Sequence, residues 1–595
     1  MARMTGAHAI VKCLEAEGVE YVFGMSGHAN LTFLDALLDS KIRFVSVPHE
    51  QLAVHMADAY FRVTHRPAVV LTSVGPGFTN TVTGVADAMH DCSAVLVISG
   101  NVPVAHRGTE AYQEIAFHND AAQSEILRPV VKRAFRLDHA HLLGEIMSRA
   151  FNTALGGVPG PVLVDVPMDL FSRIEDYSLP ASQARRARSR RSGADAADLR
   201  QAADILAASK RPVIYAGGGT LLSAASAELA ALAERLGSPV IVSLIAQSAM
   251  RNDHPLYGGV TGAVGTPTAH YLASHADTVL ILGSRFSDMD ASSWHPDMFF
   301  RAPPARVVQV DVDPAQVGRR VPVDVGIVAD ARTVLRQLLD ALPAQTAGRD
   351  ARSGWLGEFE QVRKRWREEI EPSQRSDEMP IALERLITEI RRALPPGGII
   401  VAPNGPRYFV AQHFAADVPG SHLVASGHGT MGWAVPAALG AKLGRPQSPV
   451  VCLTGDGGFR STTPTLAIAV EAGIPAVWVI LNNGGFNIIE LYQNRFFKRG
   501  VGGAFRTAKG ERYNPDFVAL ARAYGADGLR VERPEQIGPA LERAIESNMP
   551  FVIDAVVTPQ PRIRASGYWE ANRYLKHGWN ESEDTEYARG FGDSA

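Results

Sequence analysis

Short β-branched runs alternate with amphipathic stretches of helical period along nearly the whole chain, and this alternation limits the possible folds more than any other feature. Between Ala7 and about Asp169 the runs are YVFG at Tyr21, FVSV at Phe44, AVVLTS at Ala68, AVLVIS at Ala94 and PVLVDVP at Pro161. Such runs, spaced by helical stretches, read as buried parallel strands joined by crossover helices, a doubly wound sheet. The pattern returns between Ala194 and Leu342, with PVIYAGG, PVIVSL, TVLILGS and VVQVDVD, and again from Pro380, with GIIVAP, HLVAS, VVCLTGDG, AVWVILNN and FVIDAVV. The chain has 595 residues, enough for several domains of about 150 residues each. The expected architecture is α/β, three doubly wound parallel-sheet domains over 1–178, 194–345 and 379–560, with an aromatic-rich tail over 561–595.

The joints between these units are polar. Leu179 to Gly193 contains RRARSRR at Arg185 to Arg191 and reads as a solvated linker, and Trp355 to Glu371 reads as a charged bridging helix. The tail keeps Tyr568, Trp569, Tyr574, Trp579 and Phe591, which predicts that it docks, as a lid or on the surface. Lys+Arg 59 against Asp+Glu 62 gives a net charge of -3, without the basic excess that nucleic-acid binding leaves. No apolar run is long enough for a membrane span, and MARMTGAHAIVKCLEAEGVE lacks a secretory pattern, so a cytoplasmic location is expected. Cys13, Cys92 and Cys452 are too few and too scattered for a disulfide framework.

Ligands of open parallel sheets bind beyond the carboxyl ends of the strands, so chemistry is sought there. Gly455-Asp456-Gly457-Gly458 follows VVCLT, and Asn482-Asn483 ends the next strand run. One helix and one strand lie between them, so both reach the same sheet edge. A carboxylate and an amide oxygen there suit a hard cation such as Mg²⁺, and the glycines let backbone N–H groups approach phosphates. Glu50, in VSVPHEQLAVHMADAYFR, opens a helix after FVSV. His49-Glu50 does not continue into a zinc-protease motif, because Ala53 stands where the second His belongs. Ser426 to Gly432, SGHGTMG, satisfies G-x-G-x-x-G and keeps a nicotinamide-dinucleotide unit open.

The pairing of Gly455–Gly458 with Asn482-Asn483 resembles the thiamine-diphosphate signature, and from Gly6 to about Val557 the chain resembles the acetolactate synthase and pyruvate oxidase-like enzymes. The resemblance implies that Asp456, Asn483 and the Gly485 carbonyl hold Mg²⁺. It implies that Glu50 hydrogen-bonds the cofactor's aminopyrimidine, and that Met431 props the cofactor into its bent shape. Gly405, Gly429, Gly455, Gly457, Gly458 and Phe486 complete the cofactor cradle. Gln113, in GTEAYQE, is expected to reach cofactor and substrate. Arg407 stands where the family has its diphosphate-binding pair, and can still bind phosphate bidentately. Gly217-Gly218-Gly219, Gly283-Ser284-Arg285-Phe286 and Asp311-Val312-Asp313 resemble FAD-binding positions, which makes FAD an expected but optional cofactor. The resemblance also implies a homodimer or homotetramer with active sites at the dimer interface, acting on 2-keto acids or 1,2-diones.

Departures from the family concern the fate of the cleaved bond. His28, in GMSGHANL, replaces a Gly of the acetolactate synthases and is assigned an acid/base role. Asn487, Ile489 and Tyr492 replace Gly, Val and Trp, with Asn487 a candidate catalytic residue, and Met289 replaces an Arg. The expected activity is cleavage or formation of a C–C bond beside a ketone. A 1,2-dione hydrolase or acyloin lyase is the alternative in the family, and an NAD(P)-dependent dehydrogenase or an inactive homologue outside it.

Overall fold

Each of the three groups of apolar runs builds its own six-stranded, wholly parallel sheet. The computed structural model describes residues 2–115, 122–179, 191–343, 349–425, 427–564 and 566–575. The first sheet runs Arg43–Ser46, Tyr21–Gly24, Ala68–Thr72, Val95–Asn101, Val162–Pro167, Arg133–Arg136. The third runs His422–Val424, Ile399–Ala402, Val450–Gly455, Val477–Asn482, Phe551–Val556, Asp527–Val531. Numbered by chain position within each domain, both have the order 2-1-3-4-6-5. The central sheet runs Tyr257–Val260, Val240–Val242, Pro212–Ala216, Thr278–Leu282, Arg306–Asp311, Val325–Val328, which is 3-2-1-4-5-6.

Four sheet strands were absent from the sequence expectation: Arg133–Arg136, Tyr257–Val260, Val325–Val328 and Asp527–Val531. All four are edge strands. These four keep partly exposed positions and lack the continuous apolar run by which a central parallel strand is recognised, whereas the other two edge strands, Arg43–Ser46 and His422–Val424, carry short apolar runs and were read. A further antiparallel pair, Ala2–Thr5 with Ile174–Tyr177, ties the start of the first domain to its end.

The first and third domains pack through equivalent helices. Glu50–Thr64 and Ala434–Gly444 each follow the second strand of their sheet. The sequence AVPAALGAKLG leaves a face of small residues, and at Gly440 an added Cβ would lie 2.0 Å from the Met56 carbonyl oxygen. Only glycine permits that approach. Trp433, buried at the start of the second helix, donates Nε1–H to Asp58 at 2.8 Å, and Arg62 pairs with Asp91 at 2.8 Å while also donating to the Val424 carbonyl.

The bridging helix spans Arg349–Gln374, longer at both ends than the stretch read from charge alone. Its buried Trp355 donates to the Pro212 carbonyl at 3.2 Å, fixing it to the central domain. Of the basic linker, Arg191 is docked rather than free, paired with Asp330 at 3.1 Å, while Arg185 to Arg190 lie outside the described residues. The tail crosses the central domain: Ser566 Oγ lies 2.9 Å from His270 Nδ1, and Trp569 donates to Asp288 at 2.7 Å. Trp579 and Phe591 lie outside the described residues. All three cysteines are free thiols. Among the described residues, no helix is long and apolar enough to cross a membrane.

Candidate functional site

Asp456 opens the Asp456–Ser461 helix directly after the Val450–Gly455 strand, and is fully buried. Its Oδ2 accepts from Gly484 N (2.7 Å), Asn483 N (3.1 Å) and Asn514 Nδ2 (2.7 Å). Its Oδ1 accepts only from Gly457 N, at 2.8 Å, and so keeps a lone pair for another partner. Burial raises its pKa, and the four donors work against that rise. Asn483 Oδ1 is buried with no hydrogen-bond donor, a costly state for an amide oxygen unless a cation takes it. A carboxylate oxygen and an amide oxygen with spare lone pairs, flanked by backbone, match Mg²⁺ chemistry. Among the described residues there is no cluster of three or more His, Cys, Asp or Glu able to hold a metal.

The surrounding cradle is held by backbone. Phe486 N donates to the Gly503 carbonyl and Phe505 N to that of Gly484, while Arg512 donates to the Asn483 carbonyl at 2.9 Å. Gly485 forms a bridge with Ala504. At Gly457 a Cβ would meet the Phe486 ring at 2.5 Å, and Phe486 packs edge-on against Phe505. Gly429 has φ +70°, which favours glycine, and a Cβ there would also push the Asn404 amide aside. Gly455 lies in open surroundings, a Cβ at Gly405 would make ordinary contact with Ile488 at 3.9 Å, and one at Gly458 would press on Thr454 Oγ1 at 3.3 Å. Arg407 donates to Asn404 Oδ1 at 2.8 Å while its Nε is buried without a partner. Met431 is 51% exposed, which sets it apart from core filler. Asn487 begins the Asn487–Phe497 helix and donates to the Pro559 carbonyl.

In the first domain Glu50 begins the Glu50–Thr64 helix and is buried. Its Oε2 accepts from Asn80 Nδ2 at 2.9 Å, and its Oε1 faces Gly77, where a Cβ would lie 2.9 Å away. Gln113 adopts φ +66°, its backbone packed on Gly75, itself at φ +67°. His28 is exposed beside the exposed Tyr112, ring centroids 5.7 Å apart, and its nitrogens have no hydrogen-bond partner among the described residues.

Within one chain the two halves are not joined at these groups: among the described residues no hydrogen bond or ion pair links Glu50, Gln113 or His28 to Asp456, Asn483 or Arg407. Besides the helix contact, the two domains meet at Asp87, whose Oδ1 receives Thr430 N at 3.4 Å, one residue before Met431. Burial lifts the Asp87 pKa to about 6. Ser426 lies outside the described residues. The rest of the G-x-G-x-x-G segment follows an edge strand, whereas a dinucleotide fingerprint follows the first strand, at the switch point of its sheet, which argues against the nicotinamide reading there. Sequence reasoning missed Asn514, which joins Asp456 Oδ2 to Asn482 Oδ1 at 2.7 Å each. No spacing rule links a residue after an irregular loop to a strand end so far back.

Three family profiles match in order: thiamine pyrophosphate enzyme N-terminal TPP binding domain over 4–124, central domain over 199–338 and C-terminal TPP binding domain over 406–555. Thiamine pyrophosphate is the same compound as thiamine diphosphate. The chain belongs to the thiamine pyrophosphate enzymes. Within them it is similar to a probable acetolactate synthase large subunit of Methanocaldococcus jannaschii, 36% identical over 93% of this chain and 92% of that one. It is also similar to the acetolactate synthase large subunit of Corynebacterium glutamicum (36%, covering 94% and 88%) and to acetolactate synthase isozyme 3 large subunit of Escherichia coli (32%, covering 92% and 93%).

Proposed function

We propose that this protein is an acetolactate synthase-like enzyme, dependent on thiamine diphosphate and Mg²⁺, that forms or cleaves the C–C bond beside a ketone, with 2-keto acids or 1,2-diones as donors. The observation that carries the reading is the buried Asn483 Oδ1, without a hydrogen-bond donor among the described residues, on a residue whose backbone N–H binds Asp456 Oδ2, in a chain that also buries Glu50 at a helix start. When bound, thiamine diphosphate supplies the carbon nucleophile and accepts the electrons of the broken bond. Asp456, Asn483 and the Gly485 carbonyl would hold the cation, with Arg407 and the Gly455–Gly458 turn beside the diphosphate. Glu50 would hold a proton at the aminopyrimidine nitrogen, a task suited to a carboxylate screened from water. Met431 would support the cofactor from below, and Gln113 would face the substrate.

As the family resemblance implies, the complete site would take Glu50 from one subunit and Asp456 from another, in a dimer or a dimer of dimers. The central domain is the place for FAD. Its 3-2-1-4-5-6 order places Gly217–Gly219 after the first strand, at the topological switch point, the position that binds dinucleotides in open sheets. Flavin absorbance in the purified protein tests this directly. The tail, docked through Trp569 on Asp288 with its ring 6.5 Å from Tyr492, would close over the site and exclude water.

The activity is tested by incubating holoenzyme with 2-keto acids and 1,2-diones and weighing the products by mass spectrometry. Acetolactate from pyruvate supports the synthase reading. The unpartnered His28 favours a second reading, in which protonation or hydrolysis ends the reaction, and simple aldehydes or ring-opened diones would be its products. Absence of any product, together with absence of thiamine diphosphate binding, would overturn both.

A further inference from the structure

Behind the Gly75–Gly77 turn lies a buried chain of amides ending on a carboxylate with no cation in direct contact. Asp165 is fully buried, and Gln123, Asn101 and Ser99 are nearly so. Gln123 Nε2 donates to Asp165 Oδ1 (3.2 Å), Ser99 Oγ (3.0 Å) and the Gly100 carbonyl (3.1 Å). Gln123 Oε1 accepts Gly75 N at 3.1 Å. Asn101 Nδ2 reaches both Asp165 oxygens, at 3.0 and 2.9 Å, and Asn101 Oδ1 accepts Val102 N at 2.8 Å.

The chain has a direction. Val102 N–H demands an oxygen, so the Asn101 amide can point only its NH₂ at residue 165. Residue 165 must therefore accept on both oxygens, which a carboxylate does and an amide does not. With Asp165 and the Gly100 carbonyl as acceptors, the NH₂ of Gln123 is drawn to that side and its oxygen is left for Gly75. Gly75, at φ +67°, supports the left-handed Gln113 backbone, and two residues on Gly77 abuts Glu50 Oε1. Burial pushes the Asp165 pKa up to about 6, against the pull of its hydrogen bonds from Asn101 and Gln123 and of the more distant charges of Arg107 and Arg136.

We infer that Asp165 is a positioning residue: acting through Gln123, it orients the Gly75–Gly77 turn and thereby the placing of Glu50 and Gln113. The inference rests on the reading of Glu50 and Gln113 as site residues, but the hydrogen-bond chain can be tested without it. In Asp165→Asn, hydrogen exchange of the Gly75 amide in the cofactor-free protein should accelerate by about tenfold or more, and turnover of the holoenzyme should fall roughly 10–100-fold at little change in cofactor affinity. The double exchange Asn101→Asp with Asp165→Asn restores complementary partners along the chain. It should therefore recover both Gly75 protection and turnover, and it also guards against a single variant that fails to fold. Unchanged Gly75 exchange in a folded Asp165→Asn, turnover unaffected despite faster exchange, or a folded double variant that recovers neither would each overturn the inference. Wild-type protein that binds no thiamine diphosphate would sink the proposed function instead, and the exchange arm would still decide the hydrogen-bond chain.

Discussion

The first and third domains share one strand order, 2-1-3-4-6-5, yet they do opposite things at corresponding strand ends. After the third strand of each sheet comes a glycine-containing turn, Gly75-Pro76-Gly77 in one and Gly455-Asp456-Gly457 in the other. The latter places a carboxylate in the turn, surrounds it with four N–H donors and leaves a neighbouring amide oxygen unmet, which is a setting for a cation. The former has no charge in the turn and uses its glycines to approach Glu50, a carboxylate supplied by the adjacent helix. On the proposed reading, one scaffold would provide a metal-phosphate end and a proton end, separated by which residue follows the strand. The difference teaches that function in this fold lies in the strand-end residues rather than in the strand order.

The comparison breaks most visibly if the two carboxylates are interchangeable. Glu50→Gln should retain cofactor yet lose roughly 10²–10⁴-fold in turnover, the usual contribution of a positioned acid/base group, as read by steady-state rates at saturating cofactor. Mixing it with Asp456→Ala should return part of the activity through hybrid dimers, and no recovery in subunits shown to exchange would deny the shared site. Asp456→Ala alone should weaken Mg²⁺ and thiamine diphosphate together, each by at least about 10-fold, since on the proposed reading Asp456 would hold the cation that the diphosphate needs. Titration calorimetry showing an unchanged affinity would remove the metal end from the third domain.

Two smaller effects sharpen the joint between the domains. Gly440→Val forces a side chain onto the Met56 carbonyl and should cost about 1–3 kcal/mol of stability, measured by denaturant melts, as overpacking does. Asp87 has a folded pKa raised to about 6 from an ordinary 3.8. The folded state therefore binds its proton more tightly than the unfolded chain, so its contribution to stability is greatest below pH 3.8 and is lost as pH rises through about 6. Asp87→Asn keeps an oxygen for Thr430 N and sheds that dependence, so it should match or exceed wild-type stability at pH 7 while losing relative stability near pH 4. A thermal melt series across that range that parallels wild type would show Asp87 ionised without penalty.

The central strands, the Gly455–Gly458 turn with Asn482-Asn483, and Glu50 at a helix start were all legible in the sequence, because each is local: a run of apolar residues, or a motif at the end of one. Arg133–Arg136, Tyr257–Val260, Val325–Val328 and Asp527–Val531 were not, because these edge strands mix buried with partly exposed residues and carry no continuous apolar signal. Asn514 was also invisible, since its partner Asp456 lies across an irregular loop whose path no periodicity describes.

By itself, then, the sequence determined three parallel-sheet domains and the types of side chain at their strand ends, since burial on both faces of a sheet and the conformational needs of a tight turn leave a mark on neighbouring residues. Tertiary structure alone decided that the outer domains share an order the central one lacks, that Glu50–Thr64 packs on Ala434–Gly444, and that Gln123 and Asp165 stand behind the Gly75 turn. Those outcomes depend on contacts between residues far apart in the chain, where complementary shape and hydrogen-bond direction select partners that local composition does not distinguish.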